Sequence, residues 1–188
     1  MTYTLNHGAS EACKADAVGR AKAEDGGAFL ELVRRFEHRV YRLAKLITQN
    51  DRDAEDVLIE TFLKACSDLD DCKANEKFRA WLLTIAVKEA LLKVRPFADG
   101  LESGEEAPCG EISPWGDDHF ERHSPEELIR KLENALQDLD PLCRAVFALR
   151  DIEQVSIEDT ALAVGLFVPI VKRRLLRARL QLRATLTN

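Results

Sequence analysis

The sequence predicts an all-α protein of two helical domains joined by an acidic flexible linker. Three observations predict it. Apolar residues recur at steps of three and four in every long segment, with no alternating stretch of strand type. Serine, asparagine and acidic residues stand at the starts of those segments as helix caps. Between them, residues 99–127 hold ten acids (Asp99, Glu102, Glu105, Glu106, Glu111, Asp117, Asp118, Glu121, Glu126, Glu127) against one base, Arg122, with Gly100, Gly104, Pro108, Gly110, Pro114 and Gly116 interspersed. Such a composition cannot bury enough apolar surface to order itself, so it separates domains rather than forming one. The expected divisions are an N-terminal extension over 1–14, a first domain over 15–98, a linker over 99–123 and a second domain over 124–188.

Taken in order, a short helix is expected near Ala15 to Ala23, set off by Gly26 and Gly27. Phe29, Leu32, Val33, Phe36, Val40, Leu43, Ala44 and Ile47 then lay one apolar stripe along a long helix. Asn50 is a cap for the next helix, which opens with Asp51, Asp53, Glu55 and Asp56 at its positive end and runs to about Leu69. Asn75 caps a third helix with Phe78, Trp81, Leu82 and Ile85 inward, and Pro96 ends it. The spacing puts Trp81 in the core stripe rather than on a base-stacking surface.

After the linker, Ser124-Pro125-Glu126-Glu127 is a cap, a first-turn proline and a capping-box acid. A helix follows through Leu136, another from about Pro141 to Arg150, and a short one opened by the capping box Ser156-x-x-Asp159 and closed by Gly165. The last helix carries Val168, Val171, Leu175, Ala178 and Leu182 inward. Between Thr160 and Asn188 there are six basic residues and no acid, although the whole chain carries net charge −6. A short capped helix, a glycine turn and a basic helix form the pattern of a helix-turn-helix whose second member enters the major groove. Arg173, Arg174, Arg177 and Gln181 share its outer face, with Lys172, Arg179 and Arg183 alongside. The absence of acids for pairing along the helix favours DNA over a merely solvated face.

Other functions find no support. The four histidines do not group with serine or acid as in a catalytic site, no phosphate loop is present, and no catalytic residue or cofactor is expected. The five cysteines are odd in number and lack a C-x-x-C pair. Cys109 with His119-x-x-x-His123 is the nearest approach to a metal site, but its Gly-, Pro- and acid-rich setting cannot pre-form one, so no metal is expected. Neither a secretory signal nor an apolar run of membrane length is visible, and a cytoplasmic protein is expected.

RAKAEDGGAFLELVRRFEHRVYRLAKLI (20–47), DAEDVLIETFLKA (53–65) and FRAWLLTIA (78–86) resemble region 2 of bacterial extracytoplasmic-function RNA polymerase sigma factors. LDPLCRAVFALRDIEQVSIEDTALAVGL (139–166) and VKRRLLRARLQLR (171–183) resemble region 4. The combination in this order is specific where any one segment alone is weak. The resemblance implies partners: core RNA polymerase through its β′ clamp helices and β flap, promoter DNA, and an anti-sigma factor as a candidate; no membrane is implied. It implies that Asp53, Glu55, Asp56 and Glu60 match the surface docked on the clamp helices. It implies that the stretch from Asp71 to Arg79, including Lys73, Asn75, Lys77 and Arg79, meets the single-stranded −10 element, with Lys88, Lys93 and Arg95 along the backbone path. Lys172, Arg173, Arg174, Arg177 and Arg179 would meet the −35 duplex, and the acidic linker would thread the polymerase channel. The chain departs from the family at Ile59 (usually glutamine), Cys66 (usually aromatic), Val87-Lys88, the thin basic run Lys93-Val94-Arg95, Phe167 and Arg173. The alternatives are a sigma-like decoy that occupies an anti-sigma factor, and a stand-alone helix-turn-helix regulator.

Overall fold

A computed structural model describes residues 17–23, 25–72, 77–94 and 125–187. The described residues are helical without strand: α1 (17–22), α2 (Gly26–Thr48), α3 (Asp51–Ser67), α4 (Phe78–Val94), α5 (Pro125–Gln137), α6 (Pro141–Phe147), α7 (Ile157–Val164) and α8 (Val168–Thr187). A 3-10 turn, Leu69–Asp71, follows α3, and a π-helical turn, Ala148–Ile152, follows α6. The linker, Asn75, Pro96, Ser124, Cys109, His119 and His123 lie outside the described residues.

In the first domain α2, α3 and α4 pack on one another. The expected α2 stripe is the buried one, with Leu32, Phe36, Val40, Leu43, Ala44 and Ile47 inward and Phe29 partly buried. Gly26 and Gly27 begin this helix instead of preceding it. The reason is Asp25, whose carboxylate accepts from the Gly27 and Ala28 amides at 3.0 and 3.2 Å and so caps the helix ahead of both glycines. Asn50 caps α3 as expected, accepting from Arg52 N and Asp53 N. The helix stops at Ser67, two residues short of the expected end, where the chain tightens into the 3-10 turn. α4 buries Phe78, Leu82, Leu83, Ala86, Val87, Ala90 and Leu91.

The second domain sets α5 and α6 against α8. Asp140 caps α6 through the amides of Leu142 and Cys143. The helix expected to reach Arg150 instead widens after Phe147, and the turn ends at Gln154 in a left-handed conformation (φ 53°). Arg150 closes that turn on the Val155 carbonyl.

The two domains are not separate bodies. α4 packs against α7 and α2 against α6. One apolar cluster runs from Leu32, Val40 and Leu82 through to Leu142, Val146, Leu149 and Val171. Leu82 is fully buried at its centre. Leu82→Ala is expected to cost about 2–5 kcal/mol in urea unfolding, because a close-packed site refills only in part.

Candidate nucleic-acid and polymerase interface

The helix-turn-helix is built as the capping residues dictate. Ser156 Oγ accepts from Asp159 N at 3.0 Å and donates to the Asp159 carboxylate at 2.7 Å, opening α7. Gly165, at φ 70°, turns the chain, and Leu166 N bonds back to the Ala161 carbonyl. Ser156→Ala is expected to cost about 1 kcal/mol of stability in chemical unfolding through loss of this cap. α8 then buries Val171, Leu175, Ala178 and Leu182. Pro169 falls in its first turn, where amides lack helical partners.

Five of the six basic residues of α8 divide into two groups. Lys172, Arg173 and Arg177 are exposed, and among the described residues no carboxylate lies within ion-pair distance of them. Arg174 and Arg179 turn back onto the domain. Arg174 Nη1 lies 3.3 Å from the Asp140 carboxylate and touches the Cys143 sulfur. Arg179 forms a fork with Asp151, at 2.8 and 2.5 Å, and that bond raises its guanidinium above its ordinary pKa. Asp140 and Asp151 lie far upstream, so the helix alone did not reveal the pairing. Burial pushes the Cys143 thiol up as well, which leaves it a packing residue beneath α8.

Of the seven residues matched to the −10 element and its backbone path, Lys73, Asn75 and Arg95 lie outside the described residues. Lys77 and Lys88 are exposed and come together, with Trp81 and Thr84, on one side of a cavity of about 430 Å3. The spacing, i, i+4, i+7 and i+11, puts these four on one stripe that begins at Lys77, just ahead of α4, and continues along that helix. Arg79 follows Lys77 by two positions, roughly 200° around the helix, and belongs to another face. Trp81 is half-buried. Its ring packs 5.7 Å from that of Phe78 while its other side lines the cavity, so it serves the core and the surface at once. Lys93 is tied to Asp56 at 3.0 Å and does not extend the stripe.

On α3, Glu55 and Glu60 are exposed, Asp53 is half-exposed, and Asp56 holds Lys93 and raises its pKa through that hydrogen bond. Lys64 pairs with Glu89 at 2.7 Å on the same seam between α3 and α4. The inward side of α3 is Ala54, Val57, Thr61 and Ala65. Directly opposite stand Ile59 and Leu63, 59% and 63% exposed, with the acids to either side. An apolar centre inside a polar frame is the anatomy of a protein interface. Sequence reading named the frame and noted Ile59 only as a departure from the family pattern, although the four-residue spacing of Ile59 and Leu63 was there to find.

An all-α chain with a helix-turn-helix, and exposed basic residues on its second helix, has the architecture of a DNA-binding transcription protein. The comparisons narrow this. Residues 32–95 match the family model of sigma-70 region 2, and residues 129–182 that of sigma-70 region 4. The chain is 30% identical to the RNA polymerase sigma factor CnrH of Cupriavidus metallidurans, over 92% of its own length and 94% of CnrH. It is 29% identical to the ECF RNA polymerase sigma factor SigM of Mycobacterium tuberculosis H37Rv, over 93% of this chain and 85% of SigM. It is also 34% identical to the ECF RNA polymerase sigma factor SigE of Mycolicibacterium smegmatis, over 81% of this chain but only 59% of SigE. The fold matches that of CnrH solved with the cytosolic domain of CnrY (TM-score 0.63, 24% identity, 92% of this chain and 96% of that one). It also matches RpoE solved with the anti-sigma factor NepR from Bartonella quintana (TM-score 0.60, 21% identity, 84% and 96%). The chain belongs to the extracytoplasmic-function class of the sigma-70 family. Sigma factors are specificity factors for transcription initiation and are not enzymes. Among the described residues no helix is long and apolar enough to cross a membrane.

Proposed function

We propose that this chain gives core RNA polymerase its promoter specificity, with α8 reading the −35 duplex and the α4 stripe holding the melted −10 strand. The observation that carries the reading is the outer face of α8. Lys172, Arg173 and Arg177 stand exposed and unmatched by carboxylates among the described residues, on a helix otherwise anchored by two internal ion pairs. Guanidinium forks on that ridge suit guanine edges, and Lys172 beside them suits phosphate. Arg174 and Arg179 fall to a second role in this reading, fixing the pitch of α8 against α6 and the π turn.

Lys77, just ahead of α4, and Lys88 on it supply cations at the two ends of the stripe, with the Trp81 ring and the Thr84 hydroxyl between them. That combination suits unstacked bases on a charged backbone. Docking on the polymerase is assigned to the outer face of α3, with Ile59 and Leu63 as anchors and Glu55, Asp56 and Glu60 as frame. The expected divisions at 15–98, 99–123 and 124–188 fit this division of labour, the negative charge of the linker being repelled by DNA and attracted to a basic channel. Because RpoE is solved with an anti-sigma factor, a partner of that kind is included for this chain, and a cytoplasmic setting follows from the polymerase.

The test is reconstitution. Purified chain added to core polymerase should direct transcripts from defined start points on genomic templates. A chain that bound the core and gave none would be a decoy. Tight dimeric binding to duplex DNA without polymerase would make it a stand-alone regulator.

A further inference from the structure

α2, α3, α6 and α7 each begin on a side-chain oxygen, supplied by Asp25, Asn50, Asp140 and Ser156. α8 begins on Phe167, which has none to offer. The reason lies in the residues that follow. A capping oxygen accepts from the amide two or three positions on. Two positions on is Pro169, which has no N–H. Three positions on is Ile170, whose N–H is already spent on the Phe167 carbonyl at 2.9 Å, and Val171 donates to the same carbonyl at 3.1 Å. A serine or aspartate at 167 would find no open donor, so the position is released from capping.

Packing does not claim the ring either. The apolar clamp that fixes a helix start pairs the residue before the cap with the one four positions after it. Those places are held by Leu166 and Val171, which lie in one core. Phe167 is 77% exposed, the most of any large apolar side chain among the described residues. A single exposed apolar residue is ordinary on a protein surface, so exposure alone assigns nothing.

Its place does. Phe167 stands at the leading end of α8, and the leading residues of a helix lying in the major groove are those that meet base edges. Arg173 follows six residues later, about 9 Å along the axis. The exposed positions between and beyond are Pro169, Lys172, Arg173 and Arg177. From Thr160 to Asn188 there is no acid, so the ring is framed by cations alone. That frame matches phosphates rather than the mixed polar rim of a protein interface. A phenyl ring can neither donate to nor accept from a base edge by a conventional hydrogen bond. What it can recognise in the major groove is the 5-methyl group of thymine, the apolar mark that separates an A·T pair from a G·C pair there.

We propose that Phe167 is a specificity-determining residue that reads a thymine methyl group at one end of the −35 element, ahead of the bases read by Arg173 and Arg177. The assignment rests on the reading of α8 as the −35 helix. It adds to the guanidinium contacts an apolar contact at a position where the fold itself asks for nothing.

The test uses holoenzyme titrated onto a duplex promoter drawn from a randomised pool, with deoxyuridine replacing thymidine one position at a time across the upstream block. Deoxyuridine pairs as thymidine does and lacks only the methyl group. The wild-type chain should lose about fourfold in affinity at one position, the worth of one apolar carbon removed from water. Phe167→Ala should bind the thymidine and deoxyuridine templates equally there and keep its preference where Arg173 and Arg177 decide the base. No position sensitive to the methyl group, or a sensitivity that persists in Phe167→Ala, overturns the assignment. So does weaker binding of Phe167→Ala to core polymerase with thymine preference intact, which makes the ring a protein contact. A wild-type holoenzyme that selects no upstream block sinks the promoter reading and the assignment with it. One that selects the block through Arg173 and Arg177 yet ignores the methyl groups sinks the Phe167 assignment alone.

Discussion

Arg177→Ala should weaken binding of the holoenzyme to its own promoter by about 1–3 kcal/mol and relax sequence preference within the −35 element, as expected for loss of one bidentate base contact. Arg177 is exposed, and no carboxylate pairs with it among the described residues, so the substitution removes little from the fold. Arg173→Ala should act in the same direction, and the two together should approach additivity only if they read different bases. Arg179→Ala is the control. It breaks the fork with Asp151, a partly exposed pair for which solvent screening limits the stability cost to about 1 kcal/mol or less, and it should leave sequence preference unchanged. Promoter titrations with systematically varied −35 sequences separate these outcomes. If Arg179→Ala alters selectivity while Arg177→Ala does not, the assignment of the two groups is reversed.

Leu63→Asp should reduce affinity for core polymerase by about 2 kcal/mol or more, the loss typical of an apolar anchor at the centre of an interface. Leu63 is 63% exposed and contributes little to the core, so thermal unfolding should shift only slightly. Ile59→Asp should behave alike. Asp56→Arg is a poorer probe, because it also sets a second cation beside Lys93, which Asp56 now holds at 3.0 Å. Glu60→Arg tests the acidic frame without that complication and should act mainly on the association rate. Competition binding to labelled core enzyme checks all three, and wild-type affinity for Leu63→Asp would remove α3 from the docking surface.

The helices were legible because each rests on local chemistry. The α2 stripe, the Asn50 cap, the Ser156–Asp159 box and the Gly165 turn each need only neighbours within a few residues. What was not legible depends on partners distant in sequence. Nothing near Arg174 or Arg179 announces Asp140 or Asp151, so the helical projection placed Arg174 with Arg173 and Arg177 on the outer face, although of these three only Arg174 is paired with a carboxylate among the described residues. Arg144 sits in an unremarkable segment, LDPLCRAVF, and its hydrogen bond to the Ile47 carbonyl exists only because the last turn of α2 packs against α6. The π turn at Ala148–Ile152 also eluded the pattern, since its residues are ordinary helix formers. In the site itself, the alternation of Lys77, Trp81, Thr84 and Lys88 was present in the sequence. It was masked because Trp81 also fits the core stripe, and one residue can serve two faces.

Transcription from a pooled library of randomised promoters, with core polymerase and this chain, tests the central assignment most directly. Two separated blocks of sequence should emerge, an upstream one that blurs when Arg173 and Arg177 become alanine and a downstream one that blurs when Lys77 and Lys88 do. Transcripts no more selective than those of core enzyme alone would contradict it, as would a single block unaffected by the α8 substitutions.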